Sequence, residues 1–244
     1  MIQTDDLLVD GDPIIYKGAA AAEEELDFDP ELTIITGNFT LGKRVVTQAI
    51  NDLLTRFDAT NLTLFFTSTT NFRKEVCETY KGNRTKRKPC GYKKLKRWAM
   101  ETWKSEQVEG LEADDLLGIA ATSGKYERFV LCSPDKDLEQ FACRIWNGKE
   151  EFTQTPEAAE LKRWMQSLTG DATDGYKGVP QCGPKKAEAI LKKVKDGKYY
   201  EAVLKTYLEA GLTEKDALTN IRLATILSSD SWDAEKQKPI LFTP

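Results

Sequence analysis

The chain has 244 residues, enough to bury a sizeable core in one large domain or in a domain with an appendage. It has no histidine, which excludes Ser-His and Cys-His nucleophile pairs, HExxH zinc sites and histidine general bases, so any chemistry must use carboxylates, lysine, tyrosine or metal-bound water. The formal charge of −4 conceals a segment, Arg73 to Lys104, with twelve Lys or Arg against three Glu; that is a net of +9 within a chain whose remainder carries −13, a distribution that suits a polyanionic partner held beside a cation site.

Five cysteines, odd in number and without CxxC spacing, read as reduced thiols. The first ten residues lack the basic and apolar regions of a secretory signal, and no apolar run approaches the ~20 residues of a membrane span. The expectation is a cytoplasmic protein with no membrane partner. Asp6 to Val9 is an apolar run ended by Asp10-Gly11-Asp12-Pro13, which suits a buried strand delivering Asp10 to the sheet's end. Glu23 to Glu31 is acidic, is punctuated by Pro30 and reads as a solvated loop. Leu32 to Thr36 reads as a strand and Lys43 to Phe57 as an amphipathic helix. Between them, Gly37 to Lys43 matches the first seven positions of a Walker A loop, but Arg44 stands where a Ser or Thr should hold magnesium. A turn leading into a helix competes with a P-loop NTPase there.

Leu62 to Thr67 reads as a core strand. In the basic segment, Arg73, Tyr80, Lys81, Arg84, Tyr92, Arg97, Trp98 and Trp103 interleave cations with aromatics, as nucleic-acid binding requires, although a solvated charged face is the alternative. Gly110 to Ala121 then places Glu112, Asp114 and Asp115 at the start of an apolar helix. The helix dipole offsets their repulsion by only about 0.3–1 kcal/mol per charge, which leaves a divalent cation or a plain acidic N-cap as the explanation. Asp10, Asp135, Asp137, Asp171 and Asp174 also fall where strands or helices end, and carboxylates gathered there describe a hard-cation site. Phe129 to Ser133 and Arg144 to Trp146 read as strands. The alternation predicts an α/β fold, with a mostly parallel sheet flanked by helices and ligands at the carboxyl ends of the strands. Pro156 to Thr169 reads as a helix capped by Thr155, and the chain reads as helical from there to about Leu227. Within it, Gly178 to Ala187 is a glycine-rich turn opening a helix whose free amides could hold a phosphate, or a tight helix–helix connection.

Taken together, VDGD at Val9, YKGNR at Tyr80, GLEADD at Gly110, SPDKDLEQ at Ser133 and GDATDGYKGVPQCGPKKA at Gly170 resemble the 5′ nuclease family in order and spacing. That family comprises flap endonucleases, the 5′ nuclease domain of DNA polymerase I and phage 5′-to-3′ exonucleases. FTSTTNFRKE at Phe66, KPCGY at Lys88 and TDGY at Thr173 are similar to the gene 6 type exonucleases of short-tailed phages.

The resemblance implies a PIN-like nuclease core over residues 1–154 with a helical arch at 72–105, and a helical DNA-binding region over 155–244 containing a helix-hairpin-helix type element. It implies Asp10, Glu112, Asp114, Asp115, Asp135, Asp137, Asp171 and Asp174 as metal ligands and Lys81 and Arg84 as the arch cations on the scissile phosphate; Asp12 is not a usual ligand of the family and reads as a candidate support behind the ligands. Arg73, Lys74, Tyr80, Lys86, Arg87 and Lys93, with Gly178, Gly183, Lys185 and Lys186, are the implied DNA contacts. The implied cofactors are two Mg²⁺, with Mn²⁺ as a substitute and a monovalent cation at Gly178 to Gly183. The implied substrates are duplex DNA with 5′ ends, flaps and RNA–DNA hybrids. The chain is expected to act as a monomer in the host cytoplasm if phage-encoded, with a single-strand-binding protein or a polymerase as candidate partner. Ser68 departs from the pattern, because the family places an Asp there. A DNA-binding protein with an inactive nuclease fold is the rival, supported by Ser68 alone.

Overall fold

An uninterrupted Leu-Leu-Val run has no polar face to offer water, and Leu7, Leu8 and Val9 accordingly form the middle of the sheet. The computed structural model describes residues 4–29 and 31–244; Met1 to Gln3 and Pro30, the residue read as punctuating the acidic stretch, lie outside the described residues. In chain order, β1 (Asp6–Asp10) leads into α1 (Gly11–Ala21), a hairpin of β2 (Glu23–Asp29) and β3 (Leu32–Gly37), α2 (Phe39–Phe57) and β4 (Asn61–Phe65). The basic segment supplies α3 (Arg73–Val76) and α4 (Tyr92–Thr102), followed by β5 (Ser105–Glu106), α5 (Ala113–Thr122), β6 (Phe129–Cys132), β7 (Arg144–Trp146) and β8 (Glu151–Thr153). Beyond these come α6 (Pro156–Thr169), a small hairpin of β9 (Gly170–Asp171) and β10 (Tyr176–Lys177), then α7 (Pro184–Leu191), α8 (Tyr199–Glu209) and α9 (Glu214–Ala224).

Six strands form one sheet in the order β5-β4-β1-β6-β7-β8, parallel except for the β7–β8 pair, as the strand–helix alternation predicts. Side chains alternate across it. Leu7 and Val9 pack with Ile15, Val46, Ile50 and Leu95 of α1, α2 and α4, while Leu8 packs on the other face with Phe65, Leu131 and Leu117 of α5. Each such buried Leu contributes about 1.5–3 kcal/mol. Gly118 lets α5 approach closely: a Cβ there would lie 2.2 Å from the Phe141 ring and 2.3 Å from the Leu227 carbonyl oxygen. A third cluster, around Trp164, Leu168, Val203, Tyr207 and Ile221, joins α6 to α9.

Several local expectations are corrected. The acidic stretch is β2, paired along its length with β3 in an exposed two-stranded hairpin; Glu25 faces Ile35 and Leu26 faces Ile34. The Walker-like stretch contains no phosphate loop. Asn38 caps α2 by accepting from the Leu41 amide at 3.0 Å and, on its carbonyl, from the Gly42 amide at 2.9 Å, so Phe39 to Lys43 are already helical and form no loop that could wrap a phosphate. This removes the P-loop alternative. Between α3 and α4 the arch segment is turns, broken by Pro89, and only its two ends are helical. The stretch from Gly170 to Gly183 interrupts the helical C-terminal region with the β9–β10 hairpin. All five cysteines are free thiols. No helix among the described residues is long and apolar enough to cross a membrane.

Candidate active site

Parallel strands present their carboxyl ends on one edge, and here that edge gathers acids. β1 ends in Asp10, which is only 7 % exposed and accepts from the Ser133 hydroxyl at 3.0 Å and from the Asp12 amide at 3.2 Å. β6 leads to Asp135, whose carboxylate caps the following turn by accepting from the Asp137 amide at 2.8 Å; Asp137 in turn accepts from the Gln166 side chain of α6 at 2.6 Å. Glu112 is the N-cap of α5 and Asp114 lies in its first turn. Asp171 on β9 orders the next turn by accepting from the amides of Thr173 and Asp174.

Glu112, Asp114, Asp135, Asp137, Asp171 and Asp174 line one cavity of about 420 Å³ with Lys81 and Arg84, and Asp10, outside that lining, lies near enough to oppose the ionisation of Asp114. Lys81 pairs with Glu112 and, at 3.5 Å, with Asp174; Arg84 pairs with Asp174. The Tyr80 hydroxyl donates to Glu112 at 3.0 Å and to Asp174 at 2.9 Å. Lys81 adopts a left-handed backbone at φ 55°, held by its amide donating to the Asp174 carbonyl at 2.7 Å. Such a conformation costs a side-chain-bearing residue about 1–3 kcal/mol and concentrates at functional sites.

Burial, then the neighbouring Asp12, pushes the Asp10 carboxyl up to about 7 against the Ser133 hydrogen bond. Burial, then Asp10, Asp135 and Glu112, raises Asp114 well above the carboxylate range, and burial with Asp135 raises Asp137. Burial alone would raise Glu112, but Lys81 and then Arg73 hold it below. An all-oxygen set that resists its own ionisation fits a hard divalent cation. Among the described residues no three such side chains converge closely enough to grip an ion as they stand, since Glu112 and Asp174 face Lys81 and Arg84. Asp135 opposes the ionisation of both Asp10 and Asp114, and Asp10 opposes that of Asp114, so these three acids lie near one another.

Asp10 carries a pH dependence. Folding raises its carboxyl, so the metal-free chain loses stability as pH climbs from the ordinary carboxylate value of 3.8 through about 7. In EDTA, Asp10→Asn should therefore raise the melting temperature at pH 8, by about 2–4 °C for each kcal/mol regained, and by clearly less at pH 5, where the loss has only begun. Calorimetry at the two pH values checks this; equal effects at both would contradict it.

Other expected site residues make contacts within the fold or stand exposed, although Arg73 and Tyr80 do so from the cavity wall. Asp115 is fully buried and accepts both Arg73 Nη1 at 2.7 Å and Nη2 at 2.8 Å, along with the Leu227 amide; it faces away from the cavity. Arg73 also donates to the carbonyls of Leu223 and Thr225, so a guanidinium expected on DNA instead ties α3 and α5 to the C-terminal end of α9. Tyr80 is buried beneath the cavity, where its hydroxyl positions Glu112 and Asp174. Arg87 is held by Glu23. Asp12 accepts from the Thr67 amide and the Tyr92 hydroxyl, joining α1 to β4 and α4. Gly178 packs on the end of α6, where a Cβ would lie 2.2 Å from the Leu168 carbonyl oxygen; its lack of a side chain serves that contact. Lys74, Lys86, Lys93, Gly183, Lys185 and Lys186 are exposed. Ser68, past the end of β4, is outside the cavity lining and donates to Glu109 at 3.0 Å. Ser133 and Gln166 were not anticipated as holders of the acids, though Ser133 opens the SPDKD stretch.

Residues 6–164 match the family model described as 5′-3′ exonuclease, N-terminal resolvase-like domain. The exodeoxyribonuclease of Enterobacteria phage T3 is 25 % identical, with 98 % of this chain and 92 % of that protein covered. The exonuclease of Escherichia phage T7 is also 25 % identical, over 98 % and 93 %. Among solved structures, the flap endonuclease of bacteriophage T5 in a complex with DNA and metal ions superposes with a TM-score of 0.63 at 17 % identity, covering 90 % of this chain and 88 % of that one. The T5 5′-exonuclease with bound zinc gives 0.61 at 17 % identity, over 91 % and 89 %. This chain belongs to the 5′-3′ exonuclease family and is a hydrolase of the 5′-to-3′ exonuclease class.

Proposed function

We propose that the chain removes nucleotides from 5′ ends of duplex DNA, and trims flaps and annealed RNA primers, with the acidic cavity as its active site and two Mg²⁺ as cofactor. The observation that carries this reading is the meeting of carboxylates from β1, α5, the β6 end and the β9–β10 turn beneath Lys81 and Arg84. Asp10, Glu112, Asp114, Asp135, Asp137, Asp171 and Asp174 would hold the ions, and Mn²⁺ would substitute. Bound Mg²⁺ supplies Lewis-acid activation of water and offsets charge on the departing oxygen. The chain's own cations do the rest: Lys81 and Arg84 leave Glu112 and Asp174 for the scissile phosphate and offset the charge that builds there. The region over 155–244 offers exposed Lys185 and Lys186 at the start of α7 for duplex backbone, next to Gly183. A 5′-phosphorylated duplex should yield short 5′-phosphorylated products in Mg²⁺ or Mn²⁺ and none in EDTA. Cleavage that persists in EDTA would end this reading.

Lys81→Ala and Arg84→Ala should each lower kcat about 100-fold or more, with a smaller loss of affinity, because other cations share the backbone contacts. Lys93→Ala should instead weaken binding and reduce its salt slope by about one. Lys96 is a poor control for exposed charge, since its ammonium donates to the Thr67 carbonyl at 2.7 Å beside Asp12. Identical behaviour of the three variants in single-turnover and salt-titration assays would reduce the arch to a generic basic patch. Ser68→Ala should leave the Mg²⁺ midpoint nearly unchanged, because its hydroxyl serves Glu109. Ser68→Asp, set against the Glu109 carboxylate and outside the cavity lining, should not lower it either. A collapse of activity in Ser68→Ala would make that hydroxyl part of the site.

A further inference from the structure

The loop between α3 and α4 stands on two footings. Its first leg rests on the Asp171–Gly175 turn: the Lys81 amide donates to the Asp174 carbonyl at 2.7 Å and the Asn83 side chain to the Ala172 carbonyl at 2.9 Å. Its returning leg meets the root of the β2–β3 hairpin. Arg87 donates from both terminal nitrogens to the two Glu23 oxygens, each at 2.7 Å, and the Cys90 amide donates to Glu23 at 2.5 Å. Gly37 faces Glu23 across the hairpin and passes so close to Cys90 that a Cβ would lie 3.1 Å from its carbonyl oxygen. From Gly18 to Gly42 there are six acids and no Lys or Arg. Glu24, Glu25, Asp27, Asp29 and Glu31 are exposed, whereas the Glu23 side chain is covered to 19 % exposure by the arch.

We propose that Glu23 is a positioning residue: through Arg87 and the Cys90 amide it fixes the returning leg of the arch on the hairpin, so that Lys81 and Arg84 meet DNA on a closed bridge. This rests on the nuclease reading of the cavity. A charge-assisted bidentate pair with an added backbone bond constrains the loop more than a single exposed ion pair does. When Lys81 and Arg84 leave Glu112 and Asp174 for a phosphate, the first leg loses its ion pairs and keeps only the Lys81 amide and Asn83 bonds, and Glu23 keeps the loop over the cavity. Without it the loop samples positions that do not bind, and apparent affinity falls in proportion to the competent fraction. An acid with no such role has the opposite effect, since removing negative charge strengthens binding of a polyanion.

The test compares wild type, Glu23→Ala, Glu24→Ala and the reversal pair Glu23→Arg with Arg87→Glu. Three quantities are read: the rate of tryptic nicking at Arg84 and Lys86, affinity for a 5′-phosphorylated duplex in EDTA, and KM and kcat in Mg²⁺. Glu23→Ala should be nicked about fivefold faster and bind about fivefold more weakly, with KM raised and kcat within about twofold. Glu24→Ala should be nicked at the wild-type rate and bind equally or more tightly, and the reversal pair, which restores the ion pair but not the acceptor for the Cys90 amide, should recover part of the protection. The proposal is overturned if Glu23→Ala and Glu24→Ala behave alike, or if Glu23→Ala tightens DNA binding. Faster nicking of Glu23→Ala in a protein that neither binds nor cleaves the duplex would uphold the tether and locate the failure in the nuclease reading.

Discussion

Asp114→Asn should abolish Mg²⁺-dependent cleavage, by about 1,000-fold or more, while leaving the fold and DNA binding in place. The side chain keeps its shape and loses one charge from a cluster in which Asp10, Asp135 and Glu112 already oppose its ionisation. The variant should therefore melt no lower than wild type in EDTA. Duplex affinity in EDTA should hold or rise, because one carboxylate fewer faces phosphate. Single-turnover rates with gel-shift affinities measure both. Wild-type turnover would remove Asp114 from the site, and lost binding would mean that it supports the DNA surface instead.

Arg73→Met should destabilise the protein by about 3–5 kcal/mol, since it leaves the Asp115 carboxylate buried without its cation. The carbonyls of Leu223 and Thr225 lose their donor as well. Asp115→Leu should cost less, because Arg73 keeps Glu112 at 3.4 Å while the Leu227 amide loses its acceptor. The double variant, with both charges gone and the volume filled, should recover most of the loss. Urea unfolding of the four proteins gives the coupling directly. If Arg73 were a DNA contact, Arg73→Met would leave the urea midpoint in place and shift the salt dependence of binding instead.

The contrast between Asp114 and Asp115 shows where the sequence could have been read further. Neighbours on a helix point about 100° apart, so of two adjacent acids only one can face the cavity. Asp115 shares its face with Leu111 and Gly118, both buried, and that periodicity was available from GLEADDLLG. The strand-end acids were legible because each apolar run stops at one: Leu7 to Val9 at Asp10, and Phe129 to Cys132 shortly before Asp135. The inward turn of Arg73 was not, because a run of cations does not mark which member finds a buried carboxylate 42 residues away. The hairpin failed for a related reason. Six acids discourage a strand reading, and β2 forms because Thr33 to Thr36 offer it a β-branched partner and Glu23 is neutralised by Arg87, at the far end of a contact 64 residues long. Asn38 followed by Phe-Thr-Leu was readable as a helix cap, and that alone would have retired the Walker resemblance.

The central claim is polarity set by a metal-dependent acidic cavity, and one measurement tests it most directly. A blunt duplex labelled at the 5′ end and its counterpart labelled at the 3′ end are digested in parallel, with Mg²⁺ and with EDTA. In Mg²⁺ the 5′ label should appear in the shortest products from the earliest time points while the 3′-labelled strand shortens progressively, and in EDTA both duplexes should stay intact. Early release of the 3′ label, or digestion that continues in EDTA, would contradict the account.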